Sequence, residues 1–180
     1  IVDIHHAGTA MRFLTAYFSI QDEREVTLTG SARMKQRPIK ILVDALRTLG
    51  ANITYLENDG FPPIKIVGKK LNKGKVSLKA NVSSQYIYAL LLIASRLKNG
   101  LELCLEGKVT SVPYIDMTLS LLNEVGIDTS FVDHKISVKS QVSILRPKTL
   151  IVESDWSSAS YFYSVIALSE IGTEITIASY

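Results

Sequence analysis

The sequence predicts an α/β (α+β) fold of repeated β-α-β-α-β-β units, with the helices packed inside and the sheets outside. Helix-period segments alternate with short β-branched segments along the 180 residues. The stretches RPIKILVDALRTLGANITY and VPYIDMTLSLLNEVGIDTSF each place proline at a predicted helix start, glycine at its end and a strand next. Their prolines, Pro38 and Pro113, lie 75 residues apart, which gives the period of the repeat.

The first repeat unit opens with the apolar run IVDI, which predicts a strand. A helix is predicted from Thr9 to Ser19, a strand at EVTLTG, and a second helix from Pro38 to Leu49. NITYLE and IKIVG complete the unit as two strands, because both are short, β-branched and bounded by turn residues.

The second repeat unit follows the same order. KVSLKA predicts a strand, Ser83 to Leu97 a helix, LELCLEG a strand, Pro113 to Val125 a helix, and IDTSFVD with KISVK a pair of strands. The stretch SSQYIYALLLIASRL is apolar on nearly every side, so we expect this helix to lie at the centre of the fold.

A third copy begins with the strand-like run TLIVES, continues with a helix from Ser157 to Ser169, and reaches the strand-like run TEITIAS. We therefore expect two repeat units over residues 1–150 and the start of a further unit over residues 151–180. Since the sequence opens and closes in strand-like runs, we also expect both ends to be truncated.

Composition argues against several classes of partner. The 20 basic and 17 acidic residues are interspersed, so no basic tail or stripe indicates nucleic-acid binding. The longest apolar stretch, YIYALLLIASRL, is too short to cross a bilayer, so we expect no membrane partner. The single cysteine, Cys104, has no partner for an internal disulfide, which is typical of a reducing compartment and predicts a cytoplasmic location.

Three predicted helix starts carry the same chemistry. HHAGTAMR, NVSSQYIY and SDWSSASY each place small hydroxyl residues in the first turn, where backbone N–H groups lack partners inside the helix. Simple N-capping explains any one of them. Repetition favours an anion site, because related units aim equivalent helix N-termini at a common region, and Gly8 has no Cβ to block a ligand from the backbone.

The loop GSARMKQRPI adds three cations, Arg33, Lys35 and Arg37, between a strand end and a helix start. A solvated basic turn and a phosphate or carboxylate grip by the planar guanidinium groups both fit this pattern. Arg12 lies in the first turn of its helix, where a cation opposes the helix dipole. That placement predicts a partner anion or a structural acid near Arg12.

Five motifs in order, AGTAMRFL, GSARMKQRPI, SSQYIYALLL, TSVPYIDMT and DWSSASYF, resemble the 3-phosphoshikimate 1-carboxyvinyltransferase (EPSP synthase) family of enolpyruvyl transferases. The resemblance spans nearly the whole chain and a central part of that longer enzyme. It implies a two-domain enzyme that transfers the enolpyruvyl group from phosphoenolpyruvate to the 5-hydroxyl of shikimate 3-phosphate, releasing phosphate, in aromatic amino-acid biosynthesis. It also implies no metal or organic cofactor, small anionic substrates as partners, and a monomer when full length.

By this resemblance, residues 1–150 belong to the substrate-binding domain and residues 151–180 to the crossover. Ser83, Ser84 and Gln85 match positions that hold shikimate 3-phosphate, and Ser111 and Tyr114 match positions that line the same pocket.

The phosphoenolpyruvate positions follow in the same way. Arg33 matches the arginine that grips phosphoenolpyruvate, Gly8 lies against that ligand, and Gln85 touches both substrates. Arg12 and Arg37 are similar to supporting charges, and Asp155 is expected to cap the third helix. The proton-transfer groups of the family lie outside this chain, so it contains no catalytic residue and is expected to bind substrates without turnover.

Two positions depart from the family pattern: His6 stands where asparagine is common, and Val112 where a basic residue is common. Two alternatives stay open. An enolpyruvyl transferase acting on UDP-N-acetylglucosamine shares the chemistry but places a reactive cysteine in an exposed loop, whereas Cys104 falls within a strand pattern. A non-catalytic anion-binding module would use the same helix N-termini without turnover.

Overall fold

The structure, a computed structural model, describes residues 1–80, 83–109, 112–141, 149–152 and 154–178. Two compact bodies make up the chain, Ile1–Leu145 and Arg146–Tyr180. The first body contains two complete repeat units, and the described part of the second contains one helix.

The first repeat unit pairs two helices with a four-stranded sheet. Its elements are β1 Val2–Asp3, α1 Gly8–Ser19, β2 Glu25–Thr29, α2 Lys40–Leu49, β3 Asn52–Tyr55 and β4 Ile64–Val67. The strand order is β1-β2-β4-β3, with β1 parallel to β2 and the other neighbours antiparallel. A short 3₁₀ turn, Met34–Gln36, lies between β2 and α2.

The second repeat unit has the same plan. Its elements are β5 Lys75–Lys79, α3 Ser84–Ala94, β6 Leu101–Glu106, α4 Val112–Glu124, β7 Thr129–Val132 and β8 Lys135–Val138. The strand order is β5-β6-β8-β7, again with only the first pair parallel. Identical strand order and orientation confirm the predicted β-α-β-α-β-β repeat.

The helices form the interior, as predicted. Helix α3 packs against α1, α2 and α4, and both Leu90 and Leu91 at its centre are fully buried. Strand β5 buries Val76 and Leu78 on one face and exposes the residues between them, so each sheet has an inner and an outer face. Burial of each such leucine contributes about 1.5–3 kcal/mol, which explains why the apolar stretch takes the central place.

Two helix boundaries in the first body differ from the sequence prediction by two or more residues. Helix α2 begins at Lys40 rather than Pro38, because the Ile39 N–H donates to the Gly60 carbonyl (2.9 Å) and the Pro38 carbonyl accepts from a tyrosine hydroxyl. Helix α3 ends at Ala94 rather than Leu97, because the next amides bond three residues back and tighten the last turn.

In the second body, α5 spans Trp156–Ala167, close to the predicted helix, and none of its residues is buried. The strands predicted at TLIVES and TEITIAS are wrong for the residues described there, since 149–152 and 173–178 are not in strands. A strand needs a neighbour to take its backbone hydrogen bonds, and the described part of this body offers none.

None of the helices in the described ranges has the length and apolar content required to cross a membrane.

Candidate anion-binding site

The starts of α1 and α3 meet in the first body. Gln85 Nε2 in the first turn of α3 donates to Thr9 Oγ1 in the first turn of α1, at 2.9 Å. The two helices also pack along each other. Two helix N-termini therefore present their partial positive charge to the same region.

Side chains do not cap either of these helix starts. Ala7 precedes α1 and Ser83 precedes α3, and neither side chain accepts a hydrogen bond from the first turn. Simple capping, the alternative left open by the sequence, therefore does not explain Ser83. The Ser83 side chain is exposed and that of Ser84 is half-buried, so both can face a ligand. Free backbone N–H groups beside two hydroxyls are suited to a phosphate.

Arg12 is a buried cation beside these helix starts. Its side chain is only 8% exposed, its Nη1 donates to the Gly8 carbonyl at 2.8 Å, and its guanidinium lies over the Tyr86 ring, 5.4 Å from the centroid. The sequence predicted an anion or a structural acid nearby. Among the described residues Arg12 forms no ion pair, and its buried Nε has no hydrogen-bond acceptor, which leaves its charge uncompensated.

A second guanidinium converges on the same point. A Cβ added at Gly8 would collide with Arg37 Nη1 and lie 2.9 Å from Arg12 Nη1. The space freed by glycine, which the sequence analysis attributed to a ligand, is thus lined by two arginines. Both positive charges lie against the start of α1, which is an arrangement for holding an anion.

The basic loop is fixed to the histidine loop that precedes α1. The Ser31 N–H donates to the His5 carbonyl at 3.0 Å, and the Ser31 hydroxyl bonds His6 Nδ1 at 2.8 Å. His6 is thereby a hydrogen-bonded loop histidine. These bonds bring the loop that carries Arg33 next to the residues that lead into Gly8.

The three cations of this loop have different surroundings. Lys35 pairs with Glu57 at 2.7 Å on the surface. Arg33 is exposed, and its side chain forms no ion pair or hydrogen bond within the described ranges. Arg33 and the likewise exposed Arg37 are therefore free to bind an external anion, together with the buried Arg12.

The remaining predicted site residues lie in α4, in the second body or outside the described residues. Tyr114, in α4, is more than half exposed, and its ring centroid lies 6.3 Å from that of Tyr88 in α3. Ser111 lies outside the described residues. In the second body, Asp155 caps α5: its Oδ1 accepts from the Ser157 N–H at 2.9 Å, and this bond lowers the pKa of the Asp155 carboxyl.

Metal binding has no support from the side chains that can be placed. No group of three or more His, Cys, Asp or Glu residues in the described ranges is arranged to hold a metal ion.

Sequence reasoning did not assign two residues of this region, Thr9 and Tyr86. Their partners, Gln85 and Pro38, are 76 and 48 residues away in sequence. Local spacing carries no signal for such contacts. Only the order of the repeat units, which stacks α1 on α3, could have indicated them.

The chain is a repeated α/β protein in which two uncapped helix N-termini lie beside Arg12 and Arg37, and neither arginine has an acidic partner among the described residues. Such an arrangement is suited to anion binding. The sequence profile described as EPSP synthase (3-phosphoshikimate 1-carboxyvinyltransferase) matches residues 1–179. The chain belongs to the EPSP synthase family, which confirms the resemblance seen in the sequence.

Similar proteins include 3-phosphoshikimate 1-carboxyvinyltransferases from several bacteria. The protein from Bacteroides fragilis is 54% identical over 170 residues, which are 94% of this chain and 41% of the relative. The protein from Shewanella denitrificans is 43% identical over 172 residues, which are 95% of this chain and 40% of that relative. This chain therefore spans about two fifths of the length of these curated relatives.

Solved structures agree with the sequence relatives. EPSP synthase from Acinetobacter baumannii superimposes with a TM-score of 0.73 at 27% identity, covering 89% of this chain and 34% of that protein. The match supports the repeat architecture described above.

Proposed function

We propose that the protein containing this chain transfers the enolpyruvyl group of phosphoenolpyruvate to the 5-hydroxyl of shikimate 3-phosphate, with release of phosphate. Family membership over residues 1–179 supports the reaction. The observation that carries the proposal at the level of the site is the meeting of two uncapped helix starts with Arg12 and Arg37 at Gly8. Two crowded anions need such preorganised positive charge.

For shikimate 3-phosphate, we propose that the first turn of α3 holds the phosphate. Ser83 and Ser84 supply hydroxyls, the helix start supplies N–H groups, and Gln85 is held by Thr9. Ser111 and Tyr114 complete this subsite in the proposal.

For phosphoenolpyruvate, we propose that Arg33 grips the anion and that Gly8 lies against it. Gln85 stands between the two subsites, since its bond to Thr9 joins α3 to α1. Arg12 and Arg37, which lie against Gly8, add positive charge that offsets the negative charge of the ligand. Holding both substrates side by side raises the effective concentration of the reacting groups.

The proposed role of this chain alone is binding. The reaction requires proton transfer to the methylene carbon of phosphoenolpyruvate and from the 5-hydroxyl, and the groups assigned to those steps by the family resemblance lie outside residues 1–180. We further propose that residues 1–150 belong to the substrate-binding domain and 151–180 to a crossover, that the complete protein is a cytoplasmic monomer, and that it needs no cofactor. Considered alone, the chain acts as an anion-binding module.

The test is calorimetric titration of the 180-residue chain with shikimate 3-phosphate. The Ser83→Ala/Ser84→Ala double variant should bind at least tenfold more weakly, since each lost bond to a charged group costs about 1.5–3 kcal/mol. Ser130→Ala/Ser137→Ala, a facing pair on β7 and β8, is the matched control and should bind normally. Equal affinity of the double variant and the unsubstituted chain would reject the assignment.

A further inference from the structure

Tyr86 connects the helix start of α3 to the loop that carries Arg37. Its side chain is 5% exposed, and its hydroxyl donates to the Pro38 carbonyl at 2.9 Å. Pro38 directly follows Arg37, so this bond fixes the backbone from which the Arg37 side chain extends. In a continuous helix the Pro38 carbonyl would bond its own chain instead, but α2 begins two residues later.

The ring of Tyr86 also positions the other arginine. The Arg12 guanidinium lies over this ring at 5.4 Å, with Nη1 bonded to the Gly8 carbonyl. A cation held over an aromatic face keeps its orientation without an acidic partner, which preserves its charge for another anion. One side chain thus contacts Arg12 directly and holds Arg37 through Pro38.

The two arginines and this loop line one crevice. Its walls include Met11, Arg12, Met34, Arg37 and Pro38. The Arg12 Nε in this region is a buried donor without an acceptor among the residues described. Repulsion between the two guanidinium groups would separate them if nothing held both, because like charges at short range disfavour each other.

We propose that Tyr86 is a positioning residue for phosphoenolpyruvate: it orients the Arg12–Arg37 pair at Gly8 and ties that pair to the first turn of α3. The inference rests on the proposed function and adds a residue and a role to it. The hydroxyl is the critical atom, because it alone reaches the Pro38 carbonyl. Neighbouring Gln85 makes a separate tie to Thr9, so the shikimate 3-phosphate subsite does not depend on this hydroxyl.

Tyr86→Phe removes the hydroxyl and keeps the ring. In NMR titrations of the 180-residue chain, phosphoenolpyruvate should bind the variant about five- to tenfold more weakly, the loss expected for one hydrogen bond, while shikimate 3-phosphate affinity stays within about twofold. The Arg12 Nε–Hε resonance should shift in the variant before any ligand is added. Tyr55→Phe, at a half-buried tyrosine on β3 whose hydroxyl is buried, is the matched control and should leave both affinities unchanged.

Three outcomes would overturn the inference: unchanged phosphoenolpyruvate affinity in Tyr86→Phe, equal weakening of both ligands, or no phosphoenolpyruvate binding by the unsubstituted chain. Heat denaturation of each variant shows that the comparison is made on folded protein. A different result would separate the two claims. If the unsubstituted chain does not bind shikimate 3-phosphate but Tyr86→Phe still weakens phosphoenolpyruvate binding, the proposed function is contradicted and the role of Tyr86 is supported.

Discussion

At the residue scale, the tyrosine hydroxyls differ sharply in their partners. Tyr86 donates to the Pro38 carbonyl, whereas the buried Tyr55 hydroxyl on β3 has no hydrogen-bond partner in the described ranges. Burial, followed by the charge of Asp44, raises the pKa of Tyr55 to about 12. The Arg47 guanidinium, 5.0 Å from the Tyr55 ring centroid, acts in the opposite direction.

The raised pKa predicts a loss of stability at high pH. Between its ordinary value of 10.0 and about 12, Tyr55 ionises in the unfolded chain but not in the folded one. Ionisation therefore stabilises the unfolded state relative to the folded one, and the free energy of unfolding should fall across this interval. The Tyr55→Phe variant lacks the ionising hydroxyl, so its free energy of unfolding should fall less over the same pH interval. Urea unfolding of both proteins at pH 9, 10 and 11 measures the difference; parallel losses would contradict it.

Individual candidate residues could be named from the sequence where a local pattern marked an element boundary, and their binding roles stay predictions. Gly8, Arg33 and Ser83 stand at element boundaries, where glycine, arginine and serine have few purely structural reasons to recur. The Tyr86 contact could not be predicted, because a tyrosine in an apolar helix fits the core equally well. The sequence analysis grouped Lys35 with Arg33, but in the structure Lys35 forms an ion pair with Glu57.

At the element scale, the three similar helix starts are satisfied in different ways. Helices α1 and α3 begin without side-chain caps, whereas Asp155 caps α5 through Ser157 N–H and the Ser158 hydroxyl. The same hydroxyl-rich pattern thus supports two uses, one structural and one suited to a ligand. Sequence alone does not separate them, since a serine at a helix start favours both.

The Asp155 cap predicts a local effect of mutation and of acid. Asp155→Ala should fray the first turn of α5, seen as reduced helical Cα shifts at residues 156–159, and Ser158→Ala should do so less because the backbone bond remains. The Ser157 N–H lowers the pKa of Asp155, so the cap is present above the ordinary value of 3.8 and is lost as pH falls through the lower folded value. Unchanged shifts in Asp155→Ala would contradict the capping role.

The elements themselves were largely predictable because the helix and strand periods are clear. The errors in helix and strand boundaries have physical causes. Long-range hydrogen bonds from Ile39 to Gly60 and from Tyr86 to Pro38 place the start of α2 two residues later than predicted. The strands expected at TLIVES and TEITIAS lack a neighbouring strand in the described part of their body. Strand propensity is expressed only where a partner is available.

At the scale of the whole molecule, repetition of one unit brings two helix starts together. Strand orders β1-β2-β4-β3 and β5-β6-β8-β7 repeat the same path, so the first helices of the two units, α1 and α3, lie side by side. Their starts consequently face one region, and the loop with Arg33 and Arg37 belongs to the same end of its unit. The repeat period was visible in the sequence, and it gave the main reason to expect these helix starts to lie together.

The most direct test of this account is to map shikimate 3-phosphate binding on the 180-residue chain by backbone amide NMR. If the two helix starts form one anion site, the amides of Gly8 and Thr9 should shift together with those of Ser84 and Gln85, and all should give a single dissociation constant that rises with salt. Shifts confined to one helix start, or different constants for the two, would contradict the claim that the repeat units build a common site.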